Sequence, residues 1–567
     1  MKVRFPVAFG NGLLIAGAAT GMAAGLSLTT QPEPQTVPVG CRAYFAVEVA
    51  DKAPVTFTWR KNGVPIPGAP NANVYTTPPL TPADDGAVFS VVINNAAGSV
   101  TSANGGVLTV MPGLPRAKHI PPFYQCATNY FVATTGDDRR SRAQAQNPAT
   151  PWKTISRALT VLEQQGGTHG GVCVNVADGV YPESVSNGGG GFHLGGDADT
   201  PTGYFVVRAQ NPHGATIQVP TEAVDYSDAF RFADAKFVVI DGFVLVGDHS
   251  KINRNGSGID LVGSKASACV CHHLRIYNNV VHDFGSSGIA GQHVDYVEAR
   301  GNVVFNTSFT SQWGVSAINF WHPVALDAGR WGGTVPPANA GFHLILGDSV
   351  SFNNAECDIK NVHWDGNGIQ LDDFNGTQTF DAGIQPYPRP TLVENNLCFA
   401  NGGAGIMTGG GGSSFITVRS NTCYDNNRDE HINTFGRGEI LIAGNPPAGW
   451  PVATHDNVVI GNIAVSRPGA GRHTRSNAAY QDASVSATVL NHNEVWKNNL
   501  SFNGKTGQTA VTFQNTDAKF SAQSGNQPGV DPLFTDPPGF DFTLRPGTPA
   551  AGLGATILPL ETSPTQR

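Results

Sequence analysis

The chain has 567 residues, a formal charge of −8 and only 14% charged side chains. A mildly acidic protein of this length can hold more than one domain and a large core, and it lacks the basic face that nucleic-acid binding requires. A polyanionic ligand stays open, provided local arginines counter the overall field.

In chain order, Lys2 and Arg4 precede a mostly apolar run, Phe5 to Leu28, rich in Ala and Gly and closing on small residues. This reads as a secretory signal over residues 1–28 with cleavage near Ala24; the alternative is an uncleaved N-terminal anchor. Either way the protein is expected to be secreted, periplasmic or at the cell surface. No later apolar run is long enough to cross a membrane. Eight cysteines in an exported chain can pair, yet Cys269 and Cys271 are too close for easy mutual bonding and no Cys-x-x-Cys zinc framework exists. The spacings define no disulfide map.

Residues 31–111 differ in kind from the rest of the chain. Phe57-Thr58-Trp59-Arg60-Lys61-Asn62-Gly63, then Ala83-Asp84-Asp85-Gly86-Ala87-Val88-Phe89-Ser90-Val91 and Asn94-Asn95-Ala96-Ala97-Gly98-Ser99-Val100, resemble an immunoglobulin-like β-sandwich. The resemblance makes Trp59 the core tryptophan and the Asp85 to Phe89 region the corner before the penultimate strand. Cys41 sits near the first cysteine position but Val91 occupies the second, and Phe89 stands where the corner tyrosine belongs. Neither the usual inter-sheet disulfide nor the corner hydrogen bond is expected. The unit offers no paired catalytic residues, so a spacer or a carbohydrate-contacting accessory role fits, the spacer better. Proline-rich residues 112–124 read as a linker.

From residue 125 to 555 a short phrase keeps returning: Tyr277-Asn278-Asn279-Val280-Val281, Arg300-Gly301-Asn302-Val303-Val304, Glu394-Asn395-Asn396-Leu397-Cys398, Arg419-Ser420-Asn421-Thr422-Cys423, Ile460-Gly461-Asn462-Ile463-Ala464 and Lys497-Asn498-Asn499-Leu500-Ser501. Asn279 and Asn302 are 23 residues apart, and Asn396 and Asn421 are 25, the period of one unit in a solenoid. Each asparagine precedes a short alternating run, so the repeat is a β-coil, and the amides are placed to stack as a ladder inside a turn. A second phrase, Gly258-Ile259-Asp260-Leu261, Gly288-Ile289-Ala290-Gly291, Gly368-Ile369-Gln370-Leu371 and Gly405-Ile406-Met407-Thr408, puts an aliphatic in the lumen and the next residue outside. Cys398 and Cys423 share one repeat position, as stacked buried thiols or, less well, a disulfide. Excursions at Gly247 to Ala268, Leu326 to Gly341, Phe374 to Pro390 and Arg428 to Arg437 should gather on one face and form a groove.

These phrases resemble the right-handed parallel β-helix of the pectate-lyase-like superfamily. The opening from Tyr130 to Ile155 is similar to the entry of such helices, and Ile155, Ala158, Leu159 and Leu162 have the spacing of a helix that caps the first coil. Asp178-Gly179-Val180-Tyr181-Pro182-Glu183 is similar to that family's first coil. Asp531-Pro532-Leu533-Phe534 with Asp541-Phe542-Thr543-Leu544 and Pro546 to Ala550 resembles its last coil. The expected fold class is all-β: a right-handed parallel β-helix behind an immunoglobulin-like β-sandwich.

The densest acid cluster lies in His363-Trp364-Asp365-Gly366-Asn367-Gly368-Ile369-Gln370-Leu371-Asp372-Asp373-Phe374. With Ile369 and Leu371 inward, Gln370 and Asp372 face out, Asp365 is on the entering turn and Asp373 at the exit. Like charges this close repel by about one to several kcal/mol, so a cation, a proton or an arginine is expected among them. Aligned coils place Asp260, Asn319 and Gln370 in one outward column, and His293, His322 and Asp373 in a neighbouring one. Strands about 4.8 Å apart bring such side chains within reach of one sugar. Trp313, Trp321, Trp331 and Trp364 stand ready to stack on sugar rings or merely to cover the coil.

Two chemistries fit. In one, Asp365, Asp372 and Asp373 hold Ca²⁺ against a uronate carboxylate, and His322, Lys360 or Arg437 removes the adjacent proton, making a polysaccharide lyase that acts by β-elimination. In the other, two of the acids serve as general acid and base in a glycoside hydrolase. The resemblance favours the lyase, although the Asp-Asp-Gly runs and lysine motif of the calcium-dependent pectate lyases are absent, and Asp-Gly-Asn-Gly with Asp-Asp is loosely similar to the acid triplet of polygalacturonases. A non-catalytic adhesin is the third reading. Arg428-Asp429-Glu430-His431 and Arg437-Gly438-Glu439 are expected as a solvated loop rather than the far wall of the groove. The expected partner is a polysaccharide and the expected state a monomer.

Overall fold

The computed structural model describes residues 26–50, 53–102, 106–220, 227–248, 255–263, 270–311, 313–326, 341–356, 365–374, 386–409, 412–429, 438–444, 453–466, 478–484, 489–503, 512–514 and 520–561. From Thr128 onward the chain winds through three parallel sheets. Among the described residues, sheet A runs from Thr128–Val132 to Phe520–Ser524 in 12 strands, sheet B from Gly179–Tyr181 to Gln527–Pro528 in 11, and sheet C from Phe230–Ala233 to Thr512–Gln514 in nine. One coil shows the plan: Lys236–Asp241 in sheet A, Val244–Val246 in sheet B and Ile259–Val262 in sheet C, after which Cys271–Tyr277 pairs in parallel with the first of these. This is a parallel β-helix, as the repeats predict.

Period-two alternation sends one side of each strand into the lumen. Ile259, Ile289, Ile318, Ile369, Ile406 and Ile440 lie in one register row of sheet C, all of them buried. Each such side chain contributes about 2 kcal/mol of hydrophobic stabilisation. Cys398 and Cys423 are in-register neighbours of sheet B and remain free thiols. The helix Ile155–Gln165, N-capped by Thr154, closes the first coil with Ile155, Ala158, Leu159 and Leu162 buried against it. A disulfide that the sequence did not reveal, Cys126–Cys173, ties the start of the helix to its first coil.

The corner between sheets A and B is tight, and asparagine holds it. Asn279, Asn302, Asn396, Asn421, Asn462 and Asn499 are all nearly or fully buried. Each amide oxygen accepts the backbone N–H of the equivalent residue one coil earlier: Asn302 from Asn279 at 3.0 Å, Asn421 from Asn396 at 3.0 Å, Asn462 from Asn421 at 2.9 Å and Asn499 from Asn462 at 3.1 Å. Ser349 substitutes for asparagine in the coil that the phrase misses, accepting from Asn302 N at 3.1 Å. The residue before each ladder member often takes the left-handed conformation, as at Asn278 (φ 56°), Asn395 (φ 54°) and Gly301 (φ 68°), which asparagine and glycine tolerate.

The outer face of sheet B is covered by the chain's own C-terminal segment. Phe534–Asp536 and Asp541–Leu544 form an antiparallel hairpin rather than a final coil, correcting the reading of this stretch as the last turn of the solenoid. Phe534 and Phe542 pack on the aromatic column Phe305, Phe352 and Phe399. The segment stays docked as far as Glu561, which bridges to Leu114. The expected linker is docked too: Ile120 N donates to Asn278 Oδ1 at 2.8 Å, and Tyr124 donates to Asp241 at 2.7 Å.

In the N-terminal unit, Gln35–Pro38, Gly106–Met111, Val88–Asn95, Thr56–Lys61 and Val64–Pro65 lie side by side in a sheet, with Gly98–Thr101 paired to Val88–Asn95. A separate pair joins Tyr44–Ala46 to Val74–Thr76. Trp59 is buried at the centre and Phe89 stacks on Phe45 at 4.5 Å. Cys41 forms no disulfide among the described residues. The unit is no detached spacer. Thr36 N donates to Asn353 Oδ1 at 2.8 Å, Asn306 Nδ2 donates to the Arg42 carbonyl at 2.8 Å, and Tyr44 packs on Phe309.

Candidate functional site

Whereas the A-to-B corners are tight, the long connections all enter or leave sheet C. Gly247 to Ala268 flanks Ile259–Val262 on both sides, Leu326 to Gly341 follows Ile318–Trp321, Phe374 to Pro390 follows Ile369–Asp372, and Arg428 to Arg437 precedes Gly438–Ala443. The described ends of these connections therefore lie at the two edges of sheet C and flank its outer face.

On that face, Asp260, Ala290, Asn319 and Gln370 form one register row, and Val262, Gln292, Trp321 and Asp372 the next along the same side. His293, His322 and Asp373 come directly after that row. All three are left-handed (φ 52°, 56° and 53°), and they are linked to adjacent coils by His293 N to His322 O at 3.2 Å and His322 N to Asp372 O at 3.0 Å. The strand thus ends in a kink at which Asp373 Oδ2 lies 3.5 Å from His322 Nδ1. His322 is closed from solvent, its ring lying edge-on to His293 at 5.2 Å and to Trp321 at 5.3 Å. Trp321 is partly exposed and Trp313 is 44% exposed.

The carboxyls are far more enclosed than an open trough implies. Asp365, Asp372 and Asp373 are all buried. Burial pushes Asp365 up to about 6, while hydrogen bonds from Gln370 and Asn367 work to hold it down. Burial first, then repulsion from Asp365 and Asp373, pushes Asp372 well above the usual carboxylate range. Gln370 lies between the acids: its Oε1 accepts from Ser316 Oγ at 2.5 Å and its Nε2 reaches Asp372 Oδ2 at 3.5 Å. In the same row, Asn319 Oδ1 is buried without a hydrogen-bond partner. Asp260 is committed to Arg231 at 2.8 Å, and that guanidinium also meets Asp228 at 3.2 Å.

The expected calcium set does not form. Asp365 Oδ1 accepts from Asn367 Nδ2 at 3.2 Å, Asp373 faces His322, and among the described residues no three His, Cys, Asp or Glu side chains come together to hold a metal ion. The donors do not fit the ion, and no step of the proposed chemistry runs through it. Trp331, Lys360, His363, Trp364 and Arg437 lie outside the described residues. Arg428 is not a solvated loop residue: it pairs with Asp425 at 2.7 Å and donates to Thr36 Oγ1 of the N-terminal unit at 2.7 Å, with Asp429 fully buried beside it.

Several partners of these residues carry no mark in the sequence pattern. Glu356 is buried and accepts Val315 N at 2.9 Å and Asp365 N at 2.9 Å, joining two successive B-to-C connections. Ser316 and Asn367 occupy the same position two residues before Ile318 and Ile369, and Asn367 N donates to Ser316 Oγ at 3.0 Å. For these two the recurrence of Ser257, Ser287, Ser316 and Asn367 before a glycine or alanine and then isoleucine is the available signal. Gly368 within that phrase has no room for a side chain, because a Cβ there would lie 2.5 Å from Ser351 Oγ and 2.7 Å from the Gly405 carbonyl oxygen.

No protein-family model matches the chain, and no curated protein matches it. Among solved structures, the A-module of the Azotobacter vinelandii mannuronan C-5 epimerase AlgE6 aligns over 66% of this chain and 94% of its own, at 12% identity and a TM-score of 0.34. An I-band fragment of titin aligns over 19% of this chain and 38% of its own, at 19% identity and a TM-score of 0.15. Tandem Ig repeats of Dlar align over 20% and 60%, at 22% identity and a TM-score of 0.15. The aligned part spans less than two thirds of the titin and Dlar chains, and these values assign no family.

Proposed function

We propose that the protein is an enzyme that cleaves a uronate-bearing polysaccharide by β-elimination on the outer face of sheet C. The observation that carries this reading is the juxtaposition of a buried acid, Asp372, in register with a partly exposed tryptophan, Trp321, and an imidazole–carboxylate pair, His322 and Asp373, at the ends of the same two neighbouring strands. An elimination needs one group to accept the proton beside the uronate carboxylate and another to donate a proton to the departing glycosidic oxygen. His322, beside Asp373, is the acceptor. Asp372, whose carboxyl burial pushes up, is the donor. The proton leaves C5 for His322, the C4–O4 bond breaks with formation of a C4–C5 double bond, and the Asp372 proton passes to O4. A protonated Asp372 also spares the substrate carboxylate one repulsive neighbour. Because His322 is enclosed by aromatic rings, a sugar reaches it only when one of them, with Trp321 the more exposed, moves aside.

The Asp365–Asp372 pair favours a second reading. Two interacting acids, one of them near 6, are what a hydrolase uses as acid and base. The product's chemical form separates the two on a polysaccharide panel. A conjugated unsaturated uronide, seen by ultraviolet absorbance and mass, is expected. Reducing ends without unsaturation mean hydrolysis, and no turnover across the panel means a carbohydrate-binding protein or adhesin. Chelation should leave turnover intact, and a reversible loss would return a calcium ion to the scheme.

A further inference from the structure

Asp295 lies outside the sheet C columns. It is in the sheet A strand Val294–Arg300, opposite His272, and is fully buried. Its carboxylate is an acceptor for four donors. Oδ2 accepts Leu326 N at 2.7 Å, and Oδ1 accepts His343 Nδ1 at 2.9 Å, the Tyr387 hydroxyl at 2.6 Å and Tyr296 N at 3.0 Å.

Three of these donors come from chain that leads from sheet C back to sheet A. Leu326 stands where the first long excursion departs after Trp321, and His343 where it comes back. Tyr387 stands where the next excursion returns after Asp373. Val324 N, donating to the Val294 carbonyl at 3.2 Å, brings the first departure alongside Asp295. The His343 ring stacks on Tyr296 at 3.8 Å. Tyr387 in turn closes its own excursion at the base: its N–H donates to the Phe374 carbonyl at 2.6 Å and its ring meets Phe374 edge-on at 5.5 Å. Phe374 directly follows Asp373.

We propose that Asp295 is a positioning residue for the site, gathering the roots of two successive excursions on one buried carboxylate and thereby setting Asp373 against His322. This role rests on the function proposed above. Hydrogen bonds to a charged acceptor are each worth more than neutral ones, and this acceptor has three sequence-distant donors. Removing it leaves an imidazole, a phenol and a backbone N–H buried together without their acceptor.

The test uses the full chain with Tyr387→Phe, Asp295→Asn and Asp295→Ala, read by amide hydrogen exchange and by kinetics. Exchange at segments covering 322–326 and 386–390 should rise at least tenfold in Asp295→Ala, less in Asp295→Asn, which keeps one acceptor oxygen, and at 386–390 alone in Tyr387→Phe. Segments covering Gly438–Ala443 should stay unchanged. The value of kcat should fall about 10- to 100-fold in Asp295→Ala with KM within about threefold, and Asp295→Asn should restore part of it. Unchanged exchange at both roots overturns the proposal, as does an equal rise throughout the β-helix. Asp372→Asn is measured alongside. If it abolishes turnover while the Asp295 variants keep wild-type kcat, the positioning role alone fails. If Asp372→Asn turns over normally, the proposed function fails and takes the positioning role with it.

Discussion

The A-to-B corner and the two edges of sheet C are built from the same repeat, yet they treat buried polar groups in opposite ways. At the corner each asparagine offers both a donor and an acceptor, so every coil satisfies the one before it and the row extends without electrostatic cost. At sheet C the stacked rows include two acids, Asp260 and Asp372, and a carboxylate only accepts when ionised. A second row of stacked amides shows the change within one line: Asn354, Asn401 and Asn426 pass hydrogen bonds from coil to coil until Glu439 accepts from Asn426, and burial pushes that carboxyl up to about 8. Asp365 and Asp372 are raised on the same side of the molecule. Stacking favours side chains that complement copies of themselves; a run of raised acids on one face marks where the solenoid departs from that rule.

The largest expected effect sharpens this contrast. Asp372→Asn and Asp373→Asn should each lower turnover about a thousandfold or more, with an unchanged far-UV spectrum. Retained turnover in both would make the acid side as purely structural as the asparagine side. Next in size, Asn421→Ala should cost about 3 kcal/mol in chemical denaturation without changing kcat. It strands the Asn396 backbone N–H and side-chain amide, which Asn421 Oδ1 accepts at 3.0 Å each. A loss below about 1 kcal/mol would mean the ladder is ornamental.

The smallest expected effect concerns Asp482, which faces the lumen in register with Ile442 and is pushed by burial to about 7. Glu494, buried nearby and raised by burial and then by repulsion from Asp482, is its neighbour. A carboxyl whose folded pKa lies above its unfolded value binds more protons when folded. Its stabilising contribution is therefore full below about pH 4 and is lost as pH rises towards 7. Asp482→Asn should leave stability near pH 4 unchanged, add about 2 kcal/mol at pH 8, and flatten the dependence between them. An unchanged pH profile would show that the lumen tolerates the charge.

The register of the site was legible because two-residue alternation and the Gly-Ile phrase set which side chain faces out. Asp260, Asn319 and Gln370 fall in one row for that reason, as do His293, His322 and Asp373 in another. Burial was not legible, since alternation separates lumen from exterior but does not say what covers the exterior. The closing stretch was misread for a related reason: Phe534 and Phe542 alternate as a coil would, but the aromatic column on sheet B already offered them an outer surface. Asp295 was invisible because its donors lie 31, 48 and 92 residues away.

Sequence alone determined that this chain coils, where its coils turn and which residues line each row, because those properties depend on neighbours one period apart. Tertiary structure decided which acids are enclosed, which imidazole meets which carboxylate and which single residue ties the excursions together. Those outcomes depend on a left-handed kink at the end of one strand and on contacts between connections with no period, and local pattern carries no information about either.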